Sequence, residues 1–529
     1  MPVPEDIRRV ERPVNTVVVD KGTNSIFRYA VRERVCVKYV RGGNPQPRNG
    51  KVIGHIIDKA FVPVQTPVAE NGPNSLSWGA SALVHSVSRD VEKDLMEIYN
   101  ADDAYRIMAM AFLRIIKPGI TNDRMPQEYK RTFVSVFYGG ISFSPSKISK
   151  FQTALGQDLV KRQLFFARRM ERVAKEHHII IDGTLKQDTS EVNDLSAFSY
   201  KGRVKGTRDI SVIYAYDLET MEPICSEVFP GNCIDASAYK HFIRNNDVNK
   251  GIIIADKGFP PSQIAQELQD RPDLHFLTPI KRNDTRIKAN KMTEFTGVLE
   301  GVIEHVVYKK VQLKGGRFLY AFKDNNKAKN EENGYLEKAK REHDFNQDKY
   351  AKKCKIFGLL VLESDLDLKP IDAYLAYLDR WKIELLFDYY KNGLDLDITR
   401  AQSDFSVIGS EFVNHIATLL TSRIINKARN AKVFENTTYK NMMDDLSGVW
   451  RKIDAIGTPK RDDESYVLYV YKETNELMEA LDLQTPPEAP KPEPKAKKEP
   501  DKNSGIGNPK NPEFIGPKRP RGRPRKYWD

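Results

Sequence analysis

Tyr377, Arg380, Glu384 and Lys391 lie within the short stretch 370–393. At about 100° per residue, an α-helix would gather them within roughly 60° of one another. One side of a single helix then offers a carboxylate flanked by two cations and a phenol, which suits a metal ion and a phosphate. Pro370 fits the first turn, Asp372 complements the positive end of the helix dipole, and Asn392-Gly393 supplies a stop. Ile371, Tyr374, Leu378, Trp381 and Leu385 form an adjoining apolar stripe that seats the helix on a core. By itself the pattern fits a solvated charged face equally well.

Two other segments weigh between those readings. Residues 177–184 and 251–259 share one grammar: an aliphatic run, then Asp182 or Asp256, then a glycine within two residues. Such runs are typical of strands covered on both faces. An acid at the end of a buried strand is costly unless it meets a cation. Two such strands side by side would bring Asp182 and Asp256 together, with Glu384 completing a carboxylate cluster for Mg²⁺, which prefers oxygen ligands. Asp188, Asp209 and Asp217 are rival acids nearby, but none ends an aliphatic run before a glycine.

The order Tyr, two residues, Arg, three residues, Glu, six residues, Lys resembles the signature of the DDE transposases of bacterial insertion sequences, in the insertion sequence 4 group. Asp182-Gly183-Thr184 resembles that family's first-acid motif, and Asp256-Lys257-Gly258-Phe259 its second. Four prescribed residue types meet a random start about once in 10⁵ tries, so the signature is specific. The resemblance spans about residues 95–430.

It implies that Asp182, Asp256 and Glu384 are the catalytic acids and hold two Mg²⁺ ions, with Mn²⁺ as a substitute, for phosphoryl transfer. It implies that Tyr377, Arg380 and Lys391 bind the backbone phosphate near the terminal base of a transposon end. Cut-and-paste transposition of double-stranded DNA, a homodimer in a synaptic complex and a bacterial, nucleoid-associated cytoplasmic setting follow from the same likeness. Trp381 adjoins Arg380, where it could stack on a displaced base. Its place toward the apolar stripe assigns it to packing instead. Two rival classes stay open: an inactive transposase-derived DNA-binding protein, and a ribonuclease H-like structure-specific nuclease. Intact acids weigh against the first, and the Tyr/Arg/Lys helix against the second.

Composition agrees with a polyanionic partner. The 529 residues carry 84 Lys and Arg against 72 Asp and Glu, a net charge of +12. Cys36, Cys225, Cys233 and Cys354 are scattered without a CxxC pair, which reads as free thiols rather than a disulfide framework or zinc site. The first residues, Met-Pro-Val-Pro-Glu-Asp, hold no apolar leader segment, and no run approaches about eighteen apolar residues. The expectation is a soluble intracellular protein without a membrane partner.

Seven regions follow from the pattern, and the fold class expected is α/β. Residues 1–89 are basic and strand-rich, read either as a module tracking a DNA backbone or as a dimerisation lobe. Residues 90–175 are helical, and the resemblance implies DNA-end binding there. The arginine-rich helix 157–175, carrying Arg162, Arg168, Arg169 and Arg172, would serve it, or else be a solvated face. Residues 176–284 hold strands at 177–182, 210–216, 224–229, 252–256 and 275–280, with helices at 237–245 and 261–268. Three strands before the first helix and parallel pairing afterwards form the ribonuclease H-like order. Residues 285–368 form an inserted β-rich subdomain interrupted by a charged segment at 323–353. The core resumes at 369–430 with the Glu384 helix, and 431–484 is a mixed region.

Residues 485–529 change character. They hold eleven prolines, and twelve basic against six acidic residues, half of the chain's net charge. Such a segment cannot bury enough apolar surface to fold and reads as disordered. Arg521-Gly522-Arg523-Pro524-Arg525 resembles an AT-hook, a small extended core that fits the narrow minor groove of A·T tracts, where arginine is favoured. A generic basic tail is the plainer reading.

Overall fold

Apolar side chains on every side of the stretch 101–116 call for a helix buried all round. The computed structural model places α1 (Ala101–Ile116) there, with nearly every residue from Ala104 onward inaccessible. The structure describes residues 3–22, 25, 27–38, 46–57, 59–63, 75–188, 190, 192–199, 206–233, 235–255, 265–302, 305–452 and 472–483. Asn100 caps α1 by accepting the N–H of Asp103, and the helix stops at Lys117, just before Pro118. Two further helices, α2 (Pro145–Gln157) and α3 (Leu159–Glu171), complete the helical region ahead of the sheet.

The core strands are β1 (His178–Asp188), β2 (Arg208–Asp217), β3 (Glu222–Pro230), β4 (Lys250–Ile254) and β5 (Asp273–Pro279). Ile179, Ile180 and Ile181 of β1 are fully buried, as a strand covered on both faces requires. β1 and β2 pair antiparallel, as do β2 and β3. β4 then runs parallel to β1, with Ile254 opposite Ile180, and parallel to β5.

The strands of region 285–368 continue the same sheet. Among them are β6 (Val306–Gln312), β7 (Phe318–Asp324) and β8 (Leu359–Ser364), all antiparallel, with β8 hydrogen-bonded to β5. The spatial order is β6-β7-β8-β5-β4-β1-β2-β3. The charged segment between β7 and β8 folds as two helices, Asn325–Glu342 and Gln347–Cys354, each N-capped by a side chain (Asp324 and Asn346).

After β8 comes the stretch that carries the signature. It is helical throughout but not uniformly so: α4 (Pro370–Leu378), a 3₁₀ turn (Asp379–Trp381), α5 (Lys382–Asp388) and a π turn (Tyr389–Gly393). The expected single α-helix is thereby corrected, and its angular arithmetic holds only piecewise, since 3₁₀ and π turns are tighter and wider than α. α6 (Asp404–Asn430) follows, opened by a reciprocal capping box between Ser403 and Ser406. α6 crosses α2 in close contact. A Cβ added at Gly156 would stand 1.8 Å from the Phe405 carbonyl oxygen, and one at Gly409 would stand 1.9 Å from that of Gln152.

Near the N-terminus, four antiparallel strands (Thr16–Asp20, Tyr29–Lys38, Gln46–Ile57 and Ala60–Pro63) form a separate sheet over a small core of Ile7, Val18, Val31 and Ile56. Cys225, Cys233 and Cys354 are free thiols, and burial pushes the Cys225 thiol well up. No helix among the described residues is long and apolar enough to cross a membrane. The tail, with Arg521, Gly522, Arg523, Pro524 and Arg525, lies outside the described residues.

Candidate active site

Asp182 lies partway along β1, opposite Tyr214 of β2. Its Oδ1 accepts the backbone N–H of Gly183 at 2.8 Å, and its Oδ2 faces Arg380 Nη1 at 4.0 Å. Both side chains are partly open, 28% exposed for Asp182 and 21% for Arg380. Arg380 comes from the 3₁₀ turn, and its guanidinium lies 6.0 Å from the ring centre of Tyr377. Two of the four signature residues are therefore in contact with each other, and one of them reaches the first acid.

Glu384 lies in α5, the segment packed on β1, and its side chain is exposed. Lys391 lies in the π turn and is half-buried. Burial raises the Asp209 carboxyl, and the Lys391 charge pulls against that rise. β4 ends at Ile254 and the described residues stop at Ala255, so Asp256 lies outside them.

The apolar side of the helical run behaves as expected up to its middle. Tyr374 is buried, and Ile371 and Leu378 pack against the core. Trp381 departs from the expectation of packing: it is 51% exposed. It lies in the 3₁₀ turn, where the α-helical spacing that placed it in the stripe does not apply. It borders a shallow depression shared with Tyr216, Leu385, Tyr389 and Arg429.

Below the helical run lies a buried polar cluster that the sequence reading missed. Lys186 is two pleats beyond Asp182 on the same face of β1, and its Nζ donates to Glu411 of α6 at 2.7 Å. Tyr390, in the π turn, donates its hydroxyl to the other Glu411 oxygen at 2.5 Å and lies 3.4 Å from Lys186 Nζ. Asn414 donates to Glu411 as well. Burial would raise the Glu411 carboxyl, but these donors, Lys186 foremost, bring it below its ordinary value. The cluster fastens β1, the π turn and α6 to one another.

Two of the rival acids, Asp188 and Asp217, have structural partners, whereas one buried oxygen of Asp209 has none among the described residues. Asp188 accepts from the Ser190 backbone and the Asn193 side chain. Asp217 meets His177 at 2.8 Å, and its neighbour Glu219 meets His178 at 2.7 Å. Burial would lift Glu219, but the His178 ring and N–H hold it down at about 2. Ligand atoms of His177, Asp217 and Glu219 lie within 4.8 Å of one another, the one such metal-competent group among the described residues. The sequence sets Asp217 aside because no aliphatic run ends at it before a glycine, and no spacing there joins it to His177.

Of the arginines expected to line one helix, Arg162 and Arg169 turn inward, while Arg168 and Arg172 are exposed. Arg169 pairs with Asp90, Asp94 and Glu222, and Arg172, just beyond the helix, with Asp90 and Asp94. Arg162 donates to the carbonyls of Leu155 and Gly156, and Arg168 pairs with Glu97 and Glu171. Arg423 of α6 joins the first group through Asp90 and Glu222, so these charges stitch the helical region to the sheet and α6.

Residues 174–407 match the family model described as the transposase DDE domain. No curated protein matches the chain significantly. Among solved structures, a cryo-EM structure of the piggyBac transposase synaptic complex with hairpin DNA is similar at a TM-score of 0.38 and 12% sequence identity. That similarity covers 72% of this chain and 81% of the other.

Proposed function

We propose that the chain is a DDE transposase of the insertion sequence 4 group, cutting DNA at transposon ends and joining them to a target by cut-and-paste. The observation that carries this reading is Arg380 facing Asp182 within a stretch that matches the transposase DDE domain. The strand order, three antiparallel strands followed by parallel β4 and β5, supports a ribonuclease H-like core. The parallel register also supports bringing Asp256 into the site. Ile254 pairs with Ile180, and each stands two residues before an acid.

Asp182, Asp256 and Glu384 are the residues that would hold two Mg²⁺ ions. Asp182 and Glu384 fit such a group: both are accessible carboxylates, and the Asp182 oxygen already faces a cation. Divalent ions bound there lower the pKa of an attacking water or 3′-OH and stabilise the leaving oxygen. The protein's own share is positioning. At 4.0 Å Arg380 is too far from Asp182 for a hydrogen bond, so its N–H fork remains available to a backbone phosphate. Tyr377 holds that guanidinium by its ring face, and Lys391 adds a point charge farther along. The partners are double-stranded DNA and a second copy of the chain in a synaptic complex, in a bacterial cytoplasm near the nucleoid. The tail contributes A·T-leaning affinity through its AT-hook-like motif.

The test is cleavage of duplexes carrying the inverted repeats that flank the gene, with Mg²⁺ and with EDTA. Metal-dependent nicking at the repeat end, followed by strand transfer of pre-cut ends, supports the reading. Tight binding without cleavage in any divalent metal would instead assign an inactive DNA-binding descendant.

A further inference from the structure

We propose that a cleft at the far end of β1 binds a phosphate group. It is a space of about 460 Å³ bordered by α1, the first turns of α2, the end of β1, residues 395–401 and α6. Lys186 lies at its floor, so the cleft is about 13 Å along the strand from Asp182 and distinct from the proposed cutting site.

Three observations on separate elements converge there. Arg114 of α1 is 5% exposed and donates only to neutral acceptors: the Ser410 carbonyl at 2.8 Å, the Ser410 hydroxyl at 3.0 Å and Asn414 Oδ1 at 2.5 Å. Among the described residues no carboxylate lies within ion-pair distance of it. Burial pushes its pKa down to about 10, against the charge of Glu411, which supports the guanidinium from beyond ion-pair distance. Thr399 is 3% exposed, and its hydroxyl has no hydrogen-bond partner among the described residues, though it borders the cleft. Finally, α2 is thirteen residues long and its N-cap, Ser144, makes no side-chain bond to the first turn. Ser146 of that turn borders the cleft, so the positive end of the helix adds to the field there.

The charges decide what kind of ligand fits. At the floor Lys186 and Glu411 neutralise each other, and both Glu411 oxygens are already taken by Lys186, Asn414 and Tyr390. Lys186 and Arg114 thus share one buried carboxylate, Glu411, whose charge acts on both, while half-buried Asp397 acts on Lys186 from outside the lining. Arg400 and the carboxylates of Asp123 and Asp395 are at the rim, all exposed, where water weakens their influence. A cation would meet a positive floor, and an apolar group would leave Arg114 and Thr399 unserved. A backbone phosphate offers acceptors only and a free phosphate mainly acceptors, and the floor presents donors. Its source is either a backbone phosphate of DNA or a free phosphate such as a nucleotide's.

The full-length chain and its Arg400→Gln/Thr399→Val variant separate these cases without disturbing the buried Arg114 bonds. Inorganic phosphate is titrated into both by calorimetry, and binding of a 20-base-pair duplex is followed from low to high salt. A loss of phosphate affinity of about tenfold with an unchanged DNA salt slope supports a free-phosphate site. A salt slope smaller by about one in the variant supports a backbone phosphate. Equal phosphate binding and equal slopes in both proteins overturn the proposal. Inorganic phosphate probes the cleft whether or not the chain cuts DNA, so either reading can fail without the other.

Discussion

Arg380 stands over Asp182 with 4.0 Å between guanidinium nitrogen and carboxylate oxygen, close enough to feel its charge and too far to be bonded to it. A cation held this way costs the fold little to lose. Arg380→Ala should keep the wild-type melting transition within about 0.5 kcal/mol. Cleavage of transposon-end duplexes should fall by about a hundredfold, since a charge-assisted phosphate contact goes with it. Thermal melts and single-turnover cleavage read the two effects. A variant that melts far lower while its folded fraction cuts normally would make the contact structural.

Asp182→Ala, Asp256→Ala and Glu384→Ala should each abolish cleavage and leave duplex binding intact. Groups that act as a unit are non-additive, so double variants should be scarcely worse than single ones. Gel-shift and cleavage assays on the same preparations check this. Normal cutting by any one of the three removes that residue from the site.

His415 of α6 predicts a pH dependence. It is fully buried against Tyr214, Phe165 and Phe166, and neither ring nitrogen has a partner among the described residues. Burial, with the Arg169 charge behind it, pushes its pKa from 6.5 down to about 3. The ring is therefore neutral in the fold but binds a proton in the unfolded chain below pH 6.5. Its contribution is complete above that pH and declines toward pH 3, by about 1.4 kcal/mol per unit. Urea unfolding between pH 6.5 and 4.5 should show the decline, and His415→Phe should flatten it by about one proton. An unchanged slope would locate the sensitivity elsewhere.

The Lys186–Glu411 pair, 4% and 3% exposed, should respond asymmetrically. Lys186→Met strands a buried carboxylate and should cost about 3–5 kcal/mol, whereas Lys186→Met/Glu411→Leu should cost less than the sum of its parts. Urea melts of the four proteins in the cycle measure the coupling. Strict additivity would mean the two charges do not support each other.

Removing residues 515–529 should weaken binding to A·T-rich duplexes and reduce its salt dependence. Fluorescence anisotropy on A·T-rich and G·C-rich duplexes across salt concentrations decides. Unchanged preference and unchanged slope would remove the AT-hook from the protein's function.

The core strands were legible because isoleucine runs such as Ile179–Ile181 leave few alternatives to a doubly covered strand. The placement of Asp182 and Arg380 was legible because one residue follows such a run and the other belongs to a specific spacing. The break in the helical run was not. Residues 379–381 turn as 3₁₀ and 389–393 as π, the latter with Tyr390 bound to distant Glu411, and Trp381 is exposed against the apolar pattern. Pairings such as Lys186 with Glu411, or Arg169 with Asp90, join residues far apart in sequence, and no periodicity reports them. Nor does any periodicity report that β8, from the inserted region 285–368, bonds to β5 and prolongs the sheet.

Arg380 meets Asp182, and ten residues later Tyr390 meets Lys186, only four residues further along β1. Ten helical residues rise about 15 Å and four strand residues advance about 13 Å, so two rulers of unlike graduation agree at both marks. One residue added between 182 and 186 would send every later side chain to the opposite face of the sheet. One added between 380 and 390 would carry Tyr390 off its bonds to Lys186 and Glu411. Between those marks the chain has latitude in what it is made of and almost none in how long it is.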